Sequence, residues 1–251
     1  MIDLHCHLLP GLDDGPTDVA GSLEMARAAV ESGTTTMVAT PHIDNRWGVR
    51  PREVARRAED LASVLAGEGI ALELLTGGEL ALSRLADLAP DELDEMQLGD
   101  GPYLLVESSL SPLAGDFDML ILRIHERGQP ILLAHPERSP LFQREPERLR
   151  RLVDEGVLVS ITAGSIDGRF GTAVRRFTLE ILREELAHDV ASDSHDAVRR
   201  PPGLAEALGR AEPELPGLAR QSDWLTRLAP GAILAGDPLP PRPPLSYSAP
   251  R

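Results

Sequence analysis

Nine histidine, aspartate and glutamate residues lie at or just after the ends of short apolar runs, and their side chains are of the types that bind divalent metal ions. They are His5, His7, Asp14, His42, Glu79, Glu107, His135, Asp193 and His195. Imidazole and carboxylate ligands suit Mn, Fe and Zn. Nine ligands exceed the needs of one ion, so the set predicts two or three ions. Clustered divalent ions can activate water and stabilise an anionic leaving group, which favours hydrolysis of a phosphate ester.

The spacing within two of these segments supports convergence on one site. Residues i and i+2 of an extended strand face the same side, so His5 and His7 point together, as do Asp193 and His195. Cys6 then points away, and we interpret it as a small core residue. Each ligand alone has an ordinary explanation, since an acidic residue can cap a helix and a histidine can be a polar loop residue. The joint pattern at equivalent strand ends is much harder to explain that way.

Composition excludes several classes of function. The chain has 251 residues and a formal charge of −15, with 25 Lys and Arg against 40 Asp and Glu. Such an acidic chain is a poor general binder of nucleic acid or of anionic membranes, which both attract Lys and Arg. A single cysteine rules out an internal disulfide. We see no signal peptide and no apolar stretch of about 20 residues that could insert into a membrane. The sequence therefore predicts a cytoplasmic location, and it carries no feature that determines an oligomeric state.

Strand and helix signals alternate along the chain. The predicted strands cover 2–4, 34–40, 70–75, 104–107, 130–134, 157–162 and 190–192. The predicted helices cover 16–32, 51–65, 116–128, 145–155, 174–186 and 204–228. Repeated strand–helix units favour a parallel sheet, and about seven of them fit a closed, distorted (β/α)7 barrel better than an open doubly wound sheet. Function in such barrels gathers at the C-terminal ends of the strands, where all the candidate ligands fall.

The end of the chain differs in composition from the rest. Residues 1–235 contain all the strand and helix signals and are predicted to form one domain. Residues 236–251 read "GDPLPPRPPLSYSAPR", which is rich in proline and poor in apolar side chains. We expect this tail to be disordered.

Other routes of phosphate-ester or acyl hydrolysis lack their residues. A cysteine-dependent phosphatase needs an arginine six positions after its thiolate, but Leu12 stands six positions after Cys6. An aspartyl-phosphate enzyme needs D-x-D-x-T or D-x-D-x-V, but Asp116–Phe117–Asp118 is followed by Met119 and Leu120 and lies in a predicted helix. The serine nucleophile sequence G-x-S-x-G is absent. Hydrolysis by metal-activated water remains.

These segments resemble the PHP (polymerase and histidinol phosphatase) superfamily over residues 1 to about 235. The sequence "MIDLHCHLLPGLDDGP" is especially similar to the bacterial PHP-type protein-tyrosine phosphatases linked to capsular and exopolysaccharide synthesis. The segments "TPH", "GGE", "VE", "AHPER" and "SDSH" follow in the same order. The resemblance implies a distorted PHP barrel of about seven strands with a trinuclear metal site, in which manganese is the favoured ion and iron or zinc are alternatives.

The resemblance also implies how the ligands are shared among the ions. The first ion would be held by His5, His7, Glu79 and Asp193, the second by Glu79, Glu107 and His135, and the third by Asp14, His42 and His195. Arg138 and Arg200 match the arginines that contact phosphate in this branch, and a guanidinium fork suits a phosphoryl group. Two alternatives stay open: a surface ion pair for Arg138, and Arg199 in the place of Arg200.

The loop that follows His42 should overhang the site. Arg46 and Trp47 in this loop are candidates for contact with a phosphotyrosine ring or its flanking peptide. Trp47 could equally be a packing residue.

The function implied by the resemblance is metal-dependent hydrolysis of phosphotyrosine in proteins. The expected partner is a bacterial tyrosine kinase of polysaccharide synthesis, whose phosphotyrosyl tail would be the substrate. One alternative is a small-molecule phosphatase of the histidinol-phosphate type, which would use the same ligands. The other is a non-catalytic regulatory protein that keeps a PHP scaffold.

Overall fold

The strands of the protein are short and largely buried. A computed structural model describes residues 1–245, and within this range it has nine strands. They are β1 Ile2–Cys6, β2 Thr36–Ala39, β3 His42–Ile43, β4 Glu73–Thr76, β5 Glu79–Leu80, β6 Leu104–Glu107, β7 Ile131–Ala134, β8 Leu158–Thr162 and β9 Asp189–Ala191. Each adjacent pair of strands is parallel. Parallel strands are covered on both faces, which explains their mainly apolar sequences.

Two of the strands are interrupted rather than separate. The hydrogen-bonded orders are β1-β2-β4 in one sheet and β3-β5-β6-β7-β8-β9 in the other. The chain passes from β2 to β3 through Pro41 and from β4 to β5 through two glycines, so each pair forms one strand with a break. Backbone bonds continue the pairing across the breaks, from Gly77 N to Ala39 O at 3.0 Å and from Glu79 N to Pro41 O at 3.1 Å.

The segment after β9 returns to β1. Asp193 N donates to His5 O at 2.8 Å, and His7 N donates to Ser194 O at 2.9 Å. Counting each interrupted strand once, seven strand positions therefore form a circuit. The predicted α/β fold with parallel strands is confirmed, whereas the two breaks are not part of the sequence prediction.

Helices surround the strands and cover their outer faces. They are α1 Val19–Glu31, α2 Pro51–Gly67, α3 Leu82–Leu85, α4 Pro90–Asp94, α5 Phe117–Glu126, α6 Pro140–Arg144, α7 Pro146–Asp154, α8 Ala163–Ile166, α9 Thr172–Arg183, α10 Leu204–Ala211, α11 Leu218–Asp223 and α12 Ala229–Ala235. Residues Trp224–Leu228 form a π-helical turn between the last two. Several helices begin with proline, whose missing N–H costs nothing in the first turn. Residues 204–228, which the sequence predicts to hold one or two helices, form two helices and a π-helical turn.

A small apolar cluster lies below the end of the barrel that carries the candidate ligands. Leu105 belongs to this cluster together with Leu132 and Ile233, and all three are fully buried. Leu105 lies two residues before Glu107 and thus on the same face of β6. The cluster therefore gives the candidate ligands a rigid, water-free base.

The proline-rich segment makes specific contacts in its described part. Trp224 Nε1 donates to Pro240 O at 2.9 Å, and the Arg242 guanidinium lies 4.0 Å from the centroid of the Trp224 ring. Gln221 Nε2 donates to Pro243 O at 2.6 Å. Residues 246–251 of the expected disordered tail lie outside the described residues. The domain boundary at residue 235 stays a prediction.

Within residues 1–245, no helix combines the length and the apolar character needed to cross a membrane.

We predict that Gly101→Ala destabilises the fold by about 1–3 kcal/mol, since overpacking of rigid neighbours costs that much. A Cβ at Gly101 would stand 2.3 Å from Ile233 O and 2.8 Å from Leu234 O, and these backbone atoms cannot move independently. Urea denaturation measures the change. Gly67→Ala is the matched control, because a Cβ there meets nothing within 4 Å and alanine suits a helix better. A Gly101→Ala protein as stable as the wild type would contradict the packing described here.

Candidate metal centre

The nine predicted ligand residues come together at one edge of the barrel. Glu107 is the last residue of β6, and His135 directly follows β7. Because the strands are parallel, their C-terminal ends share this edge. Four groups of side chains have ligand atoms within 4.8 Å of one another, and together they include all nine residues. The groups are His7 with Asp14, His42 and His195; His5 with His7 and Asp193; His5 with Glu79 and His135; and His42 with Glu79 and Glu107.

Two of the ligand residues have an unusual backbone conformation. His135 has a φ of 36° and Asp193 a φ of 49°, both in the left-handed region that non-glycine residues seldom adopt. Each lies just beyond the end of a strand, where the left-handed turn redirects the chain over the barrel edge. Such strain costs on the order of 1–3 kcal/mol and is commonly found at functional sites.

The deepest ligand atoms have the spacing of a tetrahedral metal site. His5 Nε2 and His7 Nε2 are 3.3 Å apart, and they lie 3.3 Å and 3.4 Å from Glu79 Oε2. The same nitrogens lie 3.6 Å and 3.5 Å from Asp193 Oδ1. Ligands at about 2.0–2.1 Å from a tetrahedral ion are separated by roughly 3.3–3.4 Å. These four atoms could therefore hold one ion with little rearrangement.

Glu79 lies at the centre of the cluster and uses both oxygens. Its Oε1 lies 2.8 Å from His135 Nε2, and its Oε2 lies 2.9 Å from His42 Nδ1. The carboxylate is 1% exposed, so water does not solvate it. An anion in such a place needs opposite charge beside it.

The outer part of the cluster faces the solvent. Asp14 Oδ1 lies 3.1 Å from His195 Nε2 and 3.4 Å from His42 Nε2. The Asp14 side chain is 44% exposed, in contrast to the buried inner ligands. Asp14 therefore lies where the site opens, and the more buried His42 and His195 lie beside it.

The observed groups differ in part from the sharing that the resemblance implies. Glu107 groups with His42 and Glu79, whereas His135 groups with His5 and Glu79. Glu107 and His135 thus share Glu79 but do not belong to one group. The assignment of ligands to individual ions stays a prediction.

Unpartnered buried atoms provide a test of whether cations fit this site. Glu79 Oε2 and His195 Nε2 are buried, and their contacts with His42 Nδ1 and Asp14 Oδ1 lack hydrogen-bond geometry, so neither atom has a hydrogen bond among residues 1–245. A buried polar atom without a partner costs about 1–3 kcal/mol. A divalent ion beside each atom would satisfy it, and the mixed nitrogen and oxygen donors suit such ions. The residues present therefore fit a metal centre.

The pKa shifts within the cluster also indicate that bound cations are favourable. Burial raises the pKa of Glu107, and the negative charge of Glu79 raises it further. Burial lowers the pKa of His42, but contacts with Asp14 and Glu79 outweigh this effect and raise the pKa to about 10. Both shifts mean that added positive charge is favourable here. Protons and metal ions therefore compete for the same ligand atoms.

Asp13 is a functional residue that the sequence patterns did not single out. Its Oδ2 lies 2.6 Å from His7 Nδ1 and accepts from His42 N at 2.9 Å, while its Oδ1 accepts from Gly15 N at 3.0 Å. A carboxylate on the far nitrogen of a ligand histidine sets the orientation and tautomer of the ring. The sequence patterns predict only the neighbouring Asp14 as a ligand, because the contacts of Asp13 with His7 and His42 depend on the folded structure.

Two arginines converge on the inner carboxylate. Arg138 Nη1 lies 2.9 Å and Arg200 Nη2 lies 2.5 Å from Asp193 Oδ2. The Arg138 guanidinium also lies 4.3 Å from the centroid of the Phe170 ring. Arg199 is exposed, so of the two neighbouring arginines it is Arg200 that faces the site.

A cleft of about 220 Å³ opens above these side chains. Its lining includes Asp14, Glu107, Arg138 and Arg200, and Trp47 with Arg46 forms one wall. The Arg46 guanidinium lies 4.7 Å from the centroid of the Trp47 ring. The cleft thus combines anion-binding groups with an aromatic surface.

Known proteins have sequences similar to that of this chain. A family model described as "Capsular polysaccharide synthesis, CpsB/CapC" matches residues 1–215. Tyrosine-protein phosphatase YwqE of Bacillus subtilis (strain 168) is 38% identical over 217 residues, which are 85% of this chain and 85% of that protein. The putative tyrosine-protein phosphatase CapC of Staphylococcus aureus is 29% identical over 205 residues, which are 80% of this chain and 79% of that protein.

Solved structures share the fold. A chain from the crystal structures of YwqE from B. subtilis and CpsB from Streptococcus pneumoniae, described as unique metal-dependent tyrosine phosphatases, has a TM-score of 0.82 at 34% identity. The match covers 99% of this chain and 100% of that one. Histidinol phosphate phosphatase from Lactococcus lactis has a TM-score of 0.53 at 13% identity, covering 89% and 93% of the two chains. At that identity the likeness concerns the fold alone.

We predict that Asp13→Asn weakens metal binding by about 10–100-fold, the usual cost of losing the partner that orients a ligand histidine. Asparagine keeps one oxygen but loses the charge beside His7. Isothermal titration of metal-free protein with Mn²⁺ measures the change in Kd. The matched control is Asp18→Asn, since Asp18 caps α1 through Gly21 N and asparagine caps equally well. Equal affinities for the Asp13 variant and the wild type would remove Asp13 from this role.

Proposed function

The chain belongs to the CpsB/CapC family of capsular polysaccharide synthesis, and on that premise we propose that it is a metal-dependent tyrosine-protein phosphatase. It hydrolyses phosphotyrosine in proteins. The observation that carries this conclusion is the convergence of nine metal-binding side chains and two guanidinium groups on one cleft. Curated relatives and a matching solved structure carry the name of that same activity.

We further propose that the site holds two or three divalent ions, with manganese favoured over iron and zinc. Support for the ions comes from the number of ligands, their mixture of nitrogen and oxygen donors, and the tetrahedral spacing of the four inner ligand atoms. The preference for manganese rests on the family resemblance alone. His5, His7, Glu79 and Asp193 would hold the inner ion. When bound, divalent ions supply activation of water and neutralisation of charge on the phosphoryl oxygens.

The protein's own groups bind and orient the phosphoryl group. Arg138 and Arg200 both present guanidinium groups to the cleft, where a phosphate can accept two parallel hydrogen bonds from each. In the structure described here, both guanidiniums contact Asp193. Asp193 therefore holds them in place before substrate arrives, which reduces the entropy lost on binding.

We propose that the aromatic wall of the cleft contacts the ring of the substrate. Trp47 lines the cleft beside the metal ligands, and its backbone N–H donates to Asp44 Oδ1 at 2.9 Å. This bond and the packing of Arg46 on the indole hold Trp47 in position. An aromatic surface at this place suits the phenyl ring of phosphotyrosine.

The proposed partner is a bacterial tyrosine kinase of polysaccharide synthesis, whose phosphotyrosyl tail would be the substrate. The family description and the names of the relatives support this partner class. A cytoplasmic location, where such a tail would be met, stays a prediction.

A substrate panel tests the function. With Mn²⁺ present, we expect kcat/KM for a phosphotyrosyl peptide to exceed that for histidinol phosphate by at least about tenfold. The Glu107→Ala variant should fold and hydrolyse neither, because Glu107 is a ligand at the cleft. A smaller preference would favour a small-molecule phosphatase. No hydrolysis of p-nitrophenyl phosphate with Mn, Fe, Co or Zn would favour a non-catalytic protein.

We predict that Arg138→Ala lowers kcat/KM for p-nitrophenyl phosphate by roughly 10–1,000-fold, the scale for loss of one group that stabilises developing charge. Arg138 is 18% exposed and directed at Asp193, so its loss should affect the cleft more than the surface. Steady-state kinetics measure the change. Arg52→Ala is the control, since the Arg52 side chain is 82% exposed and should leave the rate unchanged. An unchanged kcat/KM in Arg138→Ala would place this arginine outside the reaction.

A further inference from the structure

An apolar groove of about 500 Å³ lies beside the catalytic cleft. We define this leucine groove by Leu82, Leu110, Leu113, Phe117 and Leu120, which line it. Leu110, Leu113 and Leu120 are 44%, 91% and 43% exposed. The exposed parts of these three leucines bury no apolar surface within the fold and so do not add to its stability. Clustered exposed apolar side chains mark binding surfaces.

The leucine groove is continuous with the catalytic cleft. Glu107 and Leu110 line both spaces. The Cα atoms of these two residues are separated by three peptide units and thus by at most about 11 Å. An extended peptide advances by roughly 3.3–3.4 Å per residue. Residues one to three positions before or after a phosphotyrosine that is bound in the cleft can therefore reach the groove.

The loop that carries the exposed leucines is held in place. Ser139 Oγ donates to Ser109 O at 2.8 Å, Arg144 Nη2 to Pro112 O at 3.2 Å, and Arg148 Nη1 to Gly115 O at 2.6 Å. Three side chains from the following elements thus fix the backbone on both sides of Leu113. A surface that is formed in advance binds at a lower entropic cost.

The charges around the groove select its occupant. The charged residues among those that line it are Glu107 and Asp116. Glu107 is a proposed metal ligand whose charge bound cations would offset, so Asp116 is the residue that leaves an acidic group at the groove. Arg46, Arg138 and Arg200 line the cleft but not the groove. An acidic side chain would be repelled from the groove, whereas an apolar side chain would bury the leucines without losing solvated charge.

We propose that the leucine groove binds an apolar side chain that lies within three residues of the phosphotyrosine in the protein substrate. This inference rests on the proposed function and adds a sequence preference to it. The groove makes the enzyme distinguish phosphotyrosine sites by their neighbours, which a cleft for the phosphorylated side chain alone would not do.

The test compares three substrates with Mn²⁺ present. They are p-nitrophenyl phosphate, a phosphotyrosyl peptide with leucine at the three positions on each side, and the same peptide with aspartate there. We expect the wild type to prefer the leucine peptide by at least about tenfold in kcat/KM. Leu113→Ser should reduce this preference to about twofold or less while the rate on p-nitrophenyl phosphate stays unchanged.

Val64→Ser is the matched control. Val64 is a 37% exposed apolar residue near the C-terminal end of α2. A helix that follows a parallel strand runs back along the barrel, so this end of α2 lies at the end of the barrel opposite to the candidate ligands. This variant should keep the full peptide preference.

Each other outcome overturns the inference. Equal rates on the two peptides in the wild type, with phosphotyrosine still hydrolysed, would reject the groove and leave the proposed function standing. An equal loss on all three substrates in Leu113→Ser would show a structural role. Light scattering that finds a wild-type dimer dissociated by Leu113→Ser would identify a second copy as the occupant. A wild type that hydrolyses none of the substrates would reject the proposed function itself.

Discussion

The buried carboxylate of Glu79 imposes the main constraint on this structure. It has histidines on both oxygens, and Oε2 has no hydrogen bond among the described residues. The charge of this group must be compensated from within the protein or by bound cations. The imidazoles of His5, His7 and His42 all lie within 3.4 Å of it. The other ligands, and the strand ends that carry them, are arranged around this one group.

The breaks in two strands explain how Glu79 reaches this place. Gly77 and Gly78 separate β4 from β5, and a Cβ on either would approach side-chain atoms within 3 Å. Glycine is therefore required where the strand shifts from one sheet to the other, because the chain there runs close to its neighbours. The strand then resumes with Glu79 as its first residue, beside His42 at the start of β3. The two breaks therefore place Glu79 and His42 opposite each other in adjacent strands.

The sequence predicted the parts of the molecule that follow from local periodicity and residue order. Alternating strands and helices indicated parallel strands, and the i, i+2 spacing of His5 and His7 indicated that both side chains share a face. Long-range geometry escaped prediction. Nothing local distinguishes Arg200 from Arg199, and the role of Asp13 depends on where His7 and His42 lie in space. The packing of Arg242 on Trp224 is also a contact between distant segments, so composition alone suggested only a disordered tail.

The backbone hydrogen bonds between β1 and the segment after β9 have a consequence for biosynthesis. Asp193 and Ser194 are joined to His5 and His7 by backbone bonds that span almost the whole domain in sequence. A nascent chain still attached to the ribosome therefore lacks part of the inner ligand set until nearly 200 residues have emerged from the exit tunnel. Contacts of such long sequence separation form late in folding. The complete inner ligand set, with Asp193 in place, can therefore assemble only after most of the barrel has been synthesised.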